Sequence, residues 1–196
     1  MADTNVVLGS LSPRRRELFA YLFQNFATQG SSSELEPVGT LSPAEFALAN
    51  AQHKAVEILK VHELSLPAIL FTFDTVVDCN GQIFGKPTSS EEARSMLGAL
   101  SGTFHHVHTG YALYGSDGQV ILKGFQTTKV WFQVIDQALM DFYISSGDPL
   151  DKAGAYGIQS FGGILIKKIE GCYYNVMGLP VSHLFHRLRQ ETDLII

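Results

Sequence analysis

The chain has 196 residues, of which 45% are hydrophobic and 17% are charged, and its formal net charge is -5. This length suits one medium domain with a substantial core, so we treat residues 1–196 as a single domain, while the acidic balance argues against a nucleic-acid partner. No apolar run could span a membrane, nothing resembles a signal peptide, and only Cys79 and Cys172 are present, so we expect a cytoplasmic protein without a membrane partner or a disulfide framework.

The N-terminal part alternates strands and helices. Apolar periodicity predicts a strand over Val6–Leu8 and a helix over Pro13–Phe23, for which Ser12 is a suitable N-cap. A polar loop follows, and a second helix is predicted from about Pro43 to His62. The Ser42-to-Glu45 spacing is that of a capping box, which supports a helix start at this place.

The central part is rich in strands. An apolar strand leads through an Asn80-Gly81 hairpin turn into a short return strand, and a helix is predicted over about Ser90–Leu100. Two long strand segments, HHVHTGYALYG and QVILKGFQTTKVWFQVI, are joined by a turn at 116–118.

The C-terminal part contains the predicted helix DQALMDFYISSG, the glycine-rich segment LDKAGAYGIQSFGGILI, a strand pair and a helix over Leu179–Arg189. No GxGxxG follows a strand and no GxxxxGK[ST] is present, so neither a dinucleotide fold nor a P-loop is supported. The alternation of strands and helices around a hairpin-rich middle predicts α/β layers about a mixed sheet.

Three arginines, Arg14 to Arg16, follow Ser12 at the start of the first predicted helix. Cations are unfavourable at this end, because the helix dipole and the free N–H groups already make it positive. A phosphate held by those N–H groups and by guanidinium groups would reverse that balance. A solvated basic helix start explains the same residues equally well, so this segment alone leaves both interpretations open.

Asp74 lies inside the apolar strand AILFTFDTVV, where an unpaired carboxylate is unfavourable. Two interpretations are balanced: pairing with a lysine or a backbone N–H, or service as a metal ligand or general base. A loop carboxylate, Glu34 or Glu36, could join Asp74 in holding a hard divalent cation. Taken alone, Lys54 and Lys86 are ordinary solvated lysines.

Two further groups of residues could do chemistry. His106 and His108 would share one strand face, but without a third ligand at suitable spacing we do not expect a metal site there. Gln159 stands in the glycine-rich segment, and its amide offers the paired donor and acceptor that reading a base edge requires.

Seven segments carry a family resemblance: GSLSPRRREL, AQHKA, FDTVV, GKP, LSGTFHHVHTG, LDKAGAYGIQ and NVMGLP. In this order, from about Val6 to Arg189, they resemble the Maf family of nucleoside triphosphate pyrophosphatases, and SxSPRR together with LDKAGAYGIQ is specific. The resemblance implies an elongated, two-lobed α/β unit around a mixed twisted sheet, of the Maf and inosine triphosphatase type. It also implies a nucleotide cleft and commonly a homodimer.

The activity implied by the resemblance is hydrolysis of a nucleoside triphosphate between the α and β phosphates, with Mg²⁺ or Mn²⁺ as cofactor. The Asp74-Thr75 pair and the YGIQ segment resemble the branch that prefers dTTP and UTP, and modified pyrimidine nucleotides are included in this expectation. The branch that prefers 7-methylguanosine triphosphate carries different residues at these positions. A nucleotide-binding regulatory protein without turnover is the alternative from another class.

Site roles follow from the resemblance residue by residue. It makes Asp74 the catalytic proton acceptor, and it places the metal at Asp74 with Glu36, or as second choice with Glu34. A carboxylate bound to a cation is a weaker base, so the two roles of Asp74 remain alternatives. The resemblance places substrate choice at Arg14, Thr75 and Gln159, and phosphate binding at Ser10, Arg14, Arg15, Lys54 and Lys86.

The sequence departs from the family pattern at three places, of which one is the loop around Glu36, which aligns poorly with the family. Thr72-Phe73 stands where the family has glycine-alanine before the aspartate, which could reshape the pocket. Gln52 stands where the family has an arginine two residues before the helix lysine, which removes one positive charge from this region.

Overall fold

A computed structural model describes residues 5–37, 40–61 and 68–194. None of the helices in these ranges has the length and hydropathy that a membrane crossing requires. Three short 3₁₀ turns occupy Asp148–Asp151, Ala153–Ala155 and Phe161–Leu165. In chain order the strands and helices are β1 (Asn5–Gly9), α1 (Pro13–Phe19), β2 (Ala27–Thr28), α2 (Pro43–Val61), β3 (Ala68–Cys79), β4 (Gln82–Phe84), α3 (Ser90–Leu100), β5 (Phe104–Gly115), β6 (Val120–Phe132), α4 (Gln137–Ser145), β7 (Ile166–Glu170), α5 (Tyr173–Val176) and α6 (Val181–Glu191).

The strands of the described residues form one mixed sheet, in the order β2-β1-β3-β5-β6-β7, with β4 paired to β3. β1 runs parallel to β2 and β3, and every other pair is antiparallel. Parallel neighbours need a crossover connection, and α2 supplies the one between β1 and β3. The predicted α/β class and mixed sheet are therefore confirmed.

One face of the sheet is covered by α2. Leu70 of β3 and Ala112 of β5 pack there against Ala51 and Ile58 of the helix. The small residues of the helix allow a close approach to the sheet, because they carry little side-chain volume at the contact. This packing fixes α2, and with it Lys54, against the centre of β3.

The opposite face carries two separate hydrophobic clusters. The α1 cluster contains Phe19 and Phe73, with residues of α6, and the α3 cluster contains Val77 and Leu97, with residues of α4. Alternate residues of a strand face the same side, so Thr75 lies on β3 between the two clusters. The clusters thus form two lobes on one face of the sheet, with a gap between them.

Two predictions differ from the structure by more than a shift of up to three residues at the end of an element. Helix α1 ends at Phe19 instead of Phe23, yet Leu22 and Phe23 remain buried, because the turn that follows the helix packs them into the same core. The predicted C-terminal strand pair has only one strand, since Gly171, at a φ of 127°, ends β7 and α5 follows. The predicted end of α2, His62, lies outside the described residues.

We expect Gly110→Ala to destabilise the fold by about 2 to 3 kcal/mol, because β5 contacts the α2 backbone here. A Cβ on Gly110 would lie 2.4 Å from the carbonyl carbon and oxygen of Ala47 and from the amide nitrogen of Leu48. Urea unfolding measures the change. The control is Gly98→Ala in α3, where a Cβ meets no atom within 4 Å and a small gain in stability is expected. Equal stability of Gly110→Ala and the parent would contradict this packing.

Candidate active site

A cleft of about 400 Å³ opens between the two lobes. Five of the residues singled out by the sequence line it, from four separate parts of the chain. The other candidate site residues lie outside the lining: Ser10, Glu34, Glu36, Lys54 and Asp74. The five that line the cleft are Arg14, Arg15, Thr75, Lys86 and Gln159.

The Arg15 side chain is held at the cleft by three hydrogen bonds. Its Nε donates to the Gly178 carbonyl oxygen at 2.9 Å, and Nη2 donates to Thr75 Oγ1 at 3.0 Å. A longer hydrogen bond of 3.5 Å joins Nη1 to Ser10 Oγ. The guanidinium group is thus held in a fixed orientation at the cleft wall, which suits bidentate recognition of a phosphate.

The other two arginines differ from Arg15 in their surroundings. Arg14 Nη1 lies 3.5 Å from Asp151 Oδ2 across the cleft, whereas Arg16 is exposed and belongs to the last turn of the seven-residue helix. The N-cap Ser12 accepts a hydrogen bond from the Arg15 amide at 3.4 Å. Two of the three arginines therefore belong to the cleft, and the third is a solvated surface residue.

Lys54, Asp74 and Glu34 form an ion-pair cluster beside the cleft. Lys54 Nζ lies 2.6 Å from Asp74 Oδ1 and 2.7 Å from Glu34 Oε1. Asp74 and Lys54 are buried, and Glu34 is exposed. Glu36, the first choice for the metal site, is also exposed and makes no ion pair with any residue that the structure describes. The structure thus brings Glu34, not Glu36, towards Asp74.

The neighbouring charges of this cluster shift the pKa of Glu34. Partial burial opposes its ionisation, but the hydrogen bond and charge of Lys54, with the charges of Lys86 and Arg15, bring its pKa below the ordinary value. Glu34 is therefore a carboxylate at neutral pH, and the lysine faces two negative groups.

Arg15 joins the cleft to the ion-pair cluster. Asp74 and Thr75 are neighbours on β3 and point to opposite faces of the sheet. The pairing of β1 with β3 ends at Gly9 and Thr72, so β1 does not extend alongside Asp74. Burial lowers the pKa of Arg15, while the charges of Asp74 and Glu34 act to raise it. The charges of Asp74 and Glu34 therefore act on the Arg15 guanidinium group at the cleft wall.

Residues of α2 hold the Glu34 loop in place, and sequence reasoning missed them. Asn50 Oδ1 accepts the Leu35 amide at 3.0 Å, and the Glu57 carboxylate accepts hydrogen bonds from the three serines of 31–33. These hydrogen bonds, the largest from Ser31, lower the pKa of Glu57 to about 2. Their spacing in the sequence could have indicated them, because residues 50, 54 and 57 lie on one face of a helix.

Asp148 organises the segment that carries Gln159. Its carboxylate accepts hydrogen bonds from Tyr143 Oη at 2.8 Å, from Ser160 Oγ at 2.7 Å and from Lys152 Nζ at 3.0 Å. Neither Asp148 nor Tyr143 stands out in the sequence, since they are brought together only by the fold. Their contacts fix the backbone on either side of Gln159 at the cleft.

The departures from the family pattern lie away from the cleft lining. Phe73 is fully buried in the α1 cluster, and the Thr72 hydroxyl donates to the Ala51 carbonyl oxygen at 2.8 Å. Gln52 Nε2 donates to Tyr114 Oη at 3.4 Å. The larger side chains are therefore accommodated, because Phe73 packs in the core and Thr72 contacts α2.

The histidines have structural partners. His105 Nε2 forms a 2.7 Å hydrogen bond with Tyr156 Oη, and burial lowers the pKa of His105 to about 3. His106 Nδ1 and His108 Nε2 lie 3.8 and 3.6 Å from Asp78 Oδ2. Within the described ranges, no group of three or more histidine, cysteine or acidic side chains is arranged to hold a metal ion.

Comparisons with known proteins agree with these features. A family model described as Maf-like protein matches residues 5–191. A dTTP/UTP pyrophosphatase of Pyrococcus furiosus is 42% identical over 177 residues, which cover 90% of this chain and 90% of that protein. A dTTP/UTP pyrophosphatase of Clostridium tetani is 37% identical over 187 residues, which cover 95% of this chain and 97% of that protein.

One solved structure, a nucleoside-triphosphatase / dITP/XTP pyrophosphatase from Mycobacterium abscessus, is 13% identical and covers 95% of each chain with a TM-score of 0.45. That score is too low to add to the assignment. The family model and the two relatives each extend over most of the chain. The chain therefore belongs to the Maf family.

Proposed function

We propose that this protein is a nucleoside triphosphate pyrophosphatase that hydrolyses dTTP and UTP, and modified pyrimidine nucleotides, to monophosphate and pyrophosphate. The observation that carries the proposal is a cleft lined by Arg14, Arg15 and Lys86, with the charge of the Asp74 carboxylate acting on Arg15 at the cleft wall. Three cations can hold a triphosphate, and a carboxylate next to them can act on water. The names of the Maf relatives supply the nucleotide class.

We assign phosphate binding to the cationic side chains that line the cleft. Arg15 is fixed by its contacts with Gly178 and Thr75, so it can receive a phosphate oxygen without first losing side-chain entropy. Arg14 and Lys86 lie on the same cleft and share the neutralisation of the triphosphate. Charge that develops on the leaving pyrophosphate is stabilised by cations that are already in place.

Asp74 is our candidate for activating the water. It is buried on a central strand and lies one residue from Thr75, which lines the cleft. Lys54 contacts only Oδ1, so the cation position is at Oδ1, and Oδ2 is the oxygen that can accept the proton of the attacking water as the bond to the α-phosphorus forms. The Thr75 hydroxyl accepts from Arg15 and pairs with Thr109 at 3.0 Å, so we assign it to positioning Arg15.

A divalent cation fits the two carboxylates of the cluster. Asp74 and Glu34 converge on one cation in this structure, the Lys54 ammonium group, so both point at a common position. Hard oxygen ligands suit Mg²⁺ or Mn²⁺, which commonly take one or two carboxylates and complete their coordination with phosphates and water. When bound, the cation would supply charge neutralisation at the phosphates.

Base selection is assigned to the segment around Gln159. This side chain is exposed at the cleft, and the contacts of Asp148 hold the segment on both sides of it. An amide can pair with the donor and acceptor edge of a pyrimidine, and a wrong base would leave one of its groups unpaired. Arg14 lines the same region and is the second candidate for selection.

A panel of nucleotides tests the proposal. The purified protein is mixed with dTTP, UTP, a modified uridine triphosphate, 7-methylguanosine triphosphate and ATP, with Mg²⁺ or Mn²⁺, and the products are separated by ion exchange. We expect monophosphate and pyrophosphate in equal amounts, fastest from dTTP and UTP. Faster turnover of the methylated guanine nucleotide would favour the other branch. Binding without product would identify a regulatory protein.

Assembly and location complete the proposal. The family resemblance supports a homodimer that acts on free nucleotides and removes unwanted ones before polymerases use them. The low cysteine content supports a reducing, cytoplasmic location. The formal net charge of -5 supports a small-molecule substrate over a nucleic acid. Sedimentation equilibrium of the purified chain measures the oligomeric state.

A further inference from the structure

The Lys54 ammonium group stands where the two proposed metal ligands converge. Its Nζ lies 2.6 Å from Asp74 Oδ1 and 2.7 Å from Glu34 Oε1. Lys54 is 7% exposed and Asp74 is 6% exposed, so the contact between them is well shielded from solvent. A metal ion could approach these two oxygens only if the ammonium group withdrew.

Both carboxylates belong to fixed parts of the fold. Asp74 lies on β3 and pairs with Gly110 of β5 on one side. On the other side, the pairing of β3 with β1 ends two residues before Asp74. Glu34 lies in a loop that is tied to α2 through Asn50 and Glu57. Of the two buried members of the cluster, Lys54 has the longer side chain, and its four-carbon stem can swing while Asp74 stays on the paired strand.

The charges nearby disfavour a metal ion that arrives alone. Lys54 already neutralises one of the two carboxylates, and the charges of Arg15 and Lys86 also act on Glu34. A divalent ion would meet three positive side chains around two negative ones. A triphosphate reverses this balance, since its oxygens can take the ammonium group and supply further ligands to the metal.

We infer that Lys54 is an internal cation that occupies the metal position until a nucleoside triphosphate binds, so that metal and nucleotide are bound together. The inference rests on the proposed function. On arrival of the nucleotide, Lys54 moves from the carboxylates to a phosphate and vacates the position between Asp74 and Glu34. Metal and nucleotide then raise each other's affinity by the same factor, as thermodynamic linkage requires.

Binding of Mn²⁺ without nucleotide tests the inference. Free Mn²⁺ is measured by electron paramagnetic resonance during titration of the parent chain, Lys54→Met and Lys60→Met. Lys60 is an exposed residue in the last turn of the same helix and serves as the matched control. We expect Lys54→Met to bind Mn²⁺ about tenfold more tightly or better, and Lys60→Met to equal the parent. Unchanged or weaker binding by folded Lys54→Met would overturn the inference.

A second variant and a double variant complete the experiment. Lys54→Gln keeps a polar group and is used if Lys54→Met fails to fold by circular dichroism, with the same expected gain. Asp74→Asn combined with either change should abolish the gain. With a non-hydrolysable α,β-methylene UTP the parent must also bind more Mn²⁺ than the parent alone and the analogue alone bind together, and no excess over that sum would overturn the inference.

Failure of the inference and failure of the proposed function are distinguishable. The titration requires no turnover, so a gain for Lys54→Met in a protein that hydrolyses no nucleotide would support the internal cation and reject the enzyme. Pyrophosphate release from UTP by the parent, without tighter Mn²⁺ binding by Lys54→Met, would support the enzyme and reject the internal cation.

Discussion

Asp74→Asn is expected to lower kcat for UTP hydrolysis by about a thousandfold, because the amide cannot accept the proton of the attacking water. Asparagine matches aspartate in shape, and Lys54 keeps its contact with Glu34 in the variant. The fold should therefore survive, as circular dichroism can check. Steady-state pyrophosphate release measures the loss.

Asp78→Asn is the matched control for this prediction. Asp78 lies four residues further along β3, and its Oδ1 accepts the Gly81 amide at 2.7 Å in the hairpin turn, a contact that an asparagine oxygen can also make. We expect kcat of Asp78→Asn to stay within about twofold of the parent, because Asp78 does not line the cleft and the variant keeps its turn contact. An Asp74→Asn enzyme that kept a large part of its kcat would remove Asp74 from the chemistry.

Arg15→Met is expected to lower kcat/KM for UTP by a factor of about one hundred to one thousand, as for loss of one preorganised donor to transition-state charge. The variant removes the group that Gly178, Thr75 and Ser10 hold at the cleft wall. Lysine should not restore the activity, because it lacks the planar fork that makes these contacts at once. Initial rates at low UTP concentration measure the change.

Arg16→Met tests whether this loss belongs to the site. Arg16 is the next residue on α1 and carries the same charge, but it is exposed to solvent. Its substitution should leave kcat/KM within about twofold of the parent, because exposed charges contribute little. Equal losses for both variants would mean that the net charge of α1, and not the anchored guanidinium group, attracts the nucleotide.

Local signals in the sequence predicted much of the fold. The Ser42 and Glu45 capping box is confirmed by hydrogen bonds in both directions, and the Asn80-Gly81 turn is confirmed by positive φ angles of 54° and 83°. These features depend on residues three or fewer positions apart, so the sequence contains all that decides them. The end of α1 depends on packing at a distance and was predicted four residues too late.

The arrangement of the site could be predicted only in part. The motifs indicate which residues belong to the cleft, and Arg14, Arg15 and Gln159 do meet there. The choice between Glu34 and Glu36 depends on how the loop docks onto Asn50 and Glu57, which no local pattern encodes. The roles of these residues in catalysis stay predictions until the variants are measured.

The pairing of Lys54 with Asp74 shows where the sequence was ambiguous. An aspartate in an apolar strand is unfavourable unless it has a partner or a function. The sequence did not distinguish a lysine partner from a catalytic role. In the structure Lys54 Nζ lies 2.6 Å from Asp74 Oδ1, and Thr75, the next residue along β3, lines the cleft. Structural pairing and a catalytic role are therefore compatible in this protein.

The most direct test of the central claim is hydrolysis of UTP in water enriched in oxygen-18, with the products analysed by mass spectrometry. Attack of water on the α-phosphorus predicts labelled uridine monophosphate and unlabelled pyrophosphate from the parent chain, and loss of both products in Asp74→Asn. Formation of uridine diphosphate and phosphate, label in the pyrophosphate, or no turnover of any triphosphate would contradict the account.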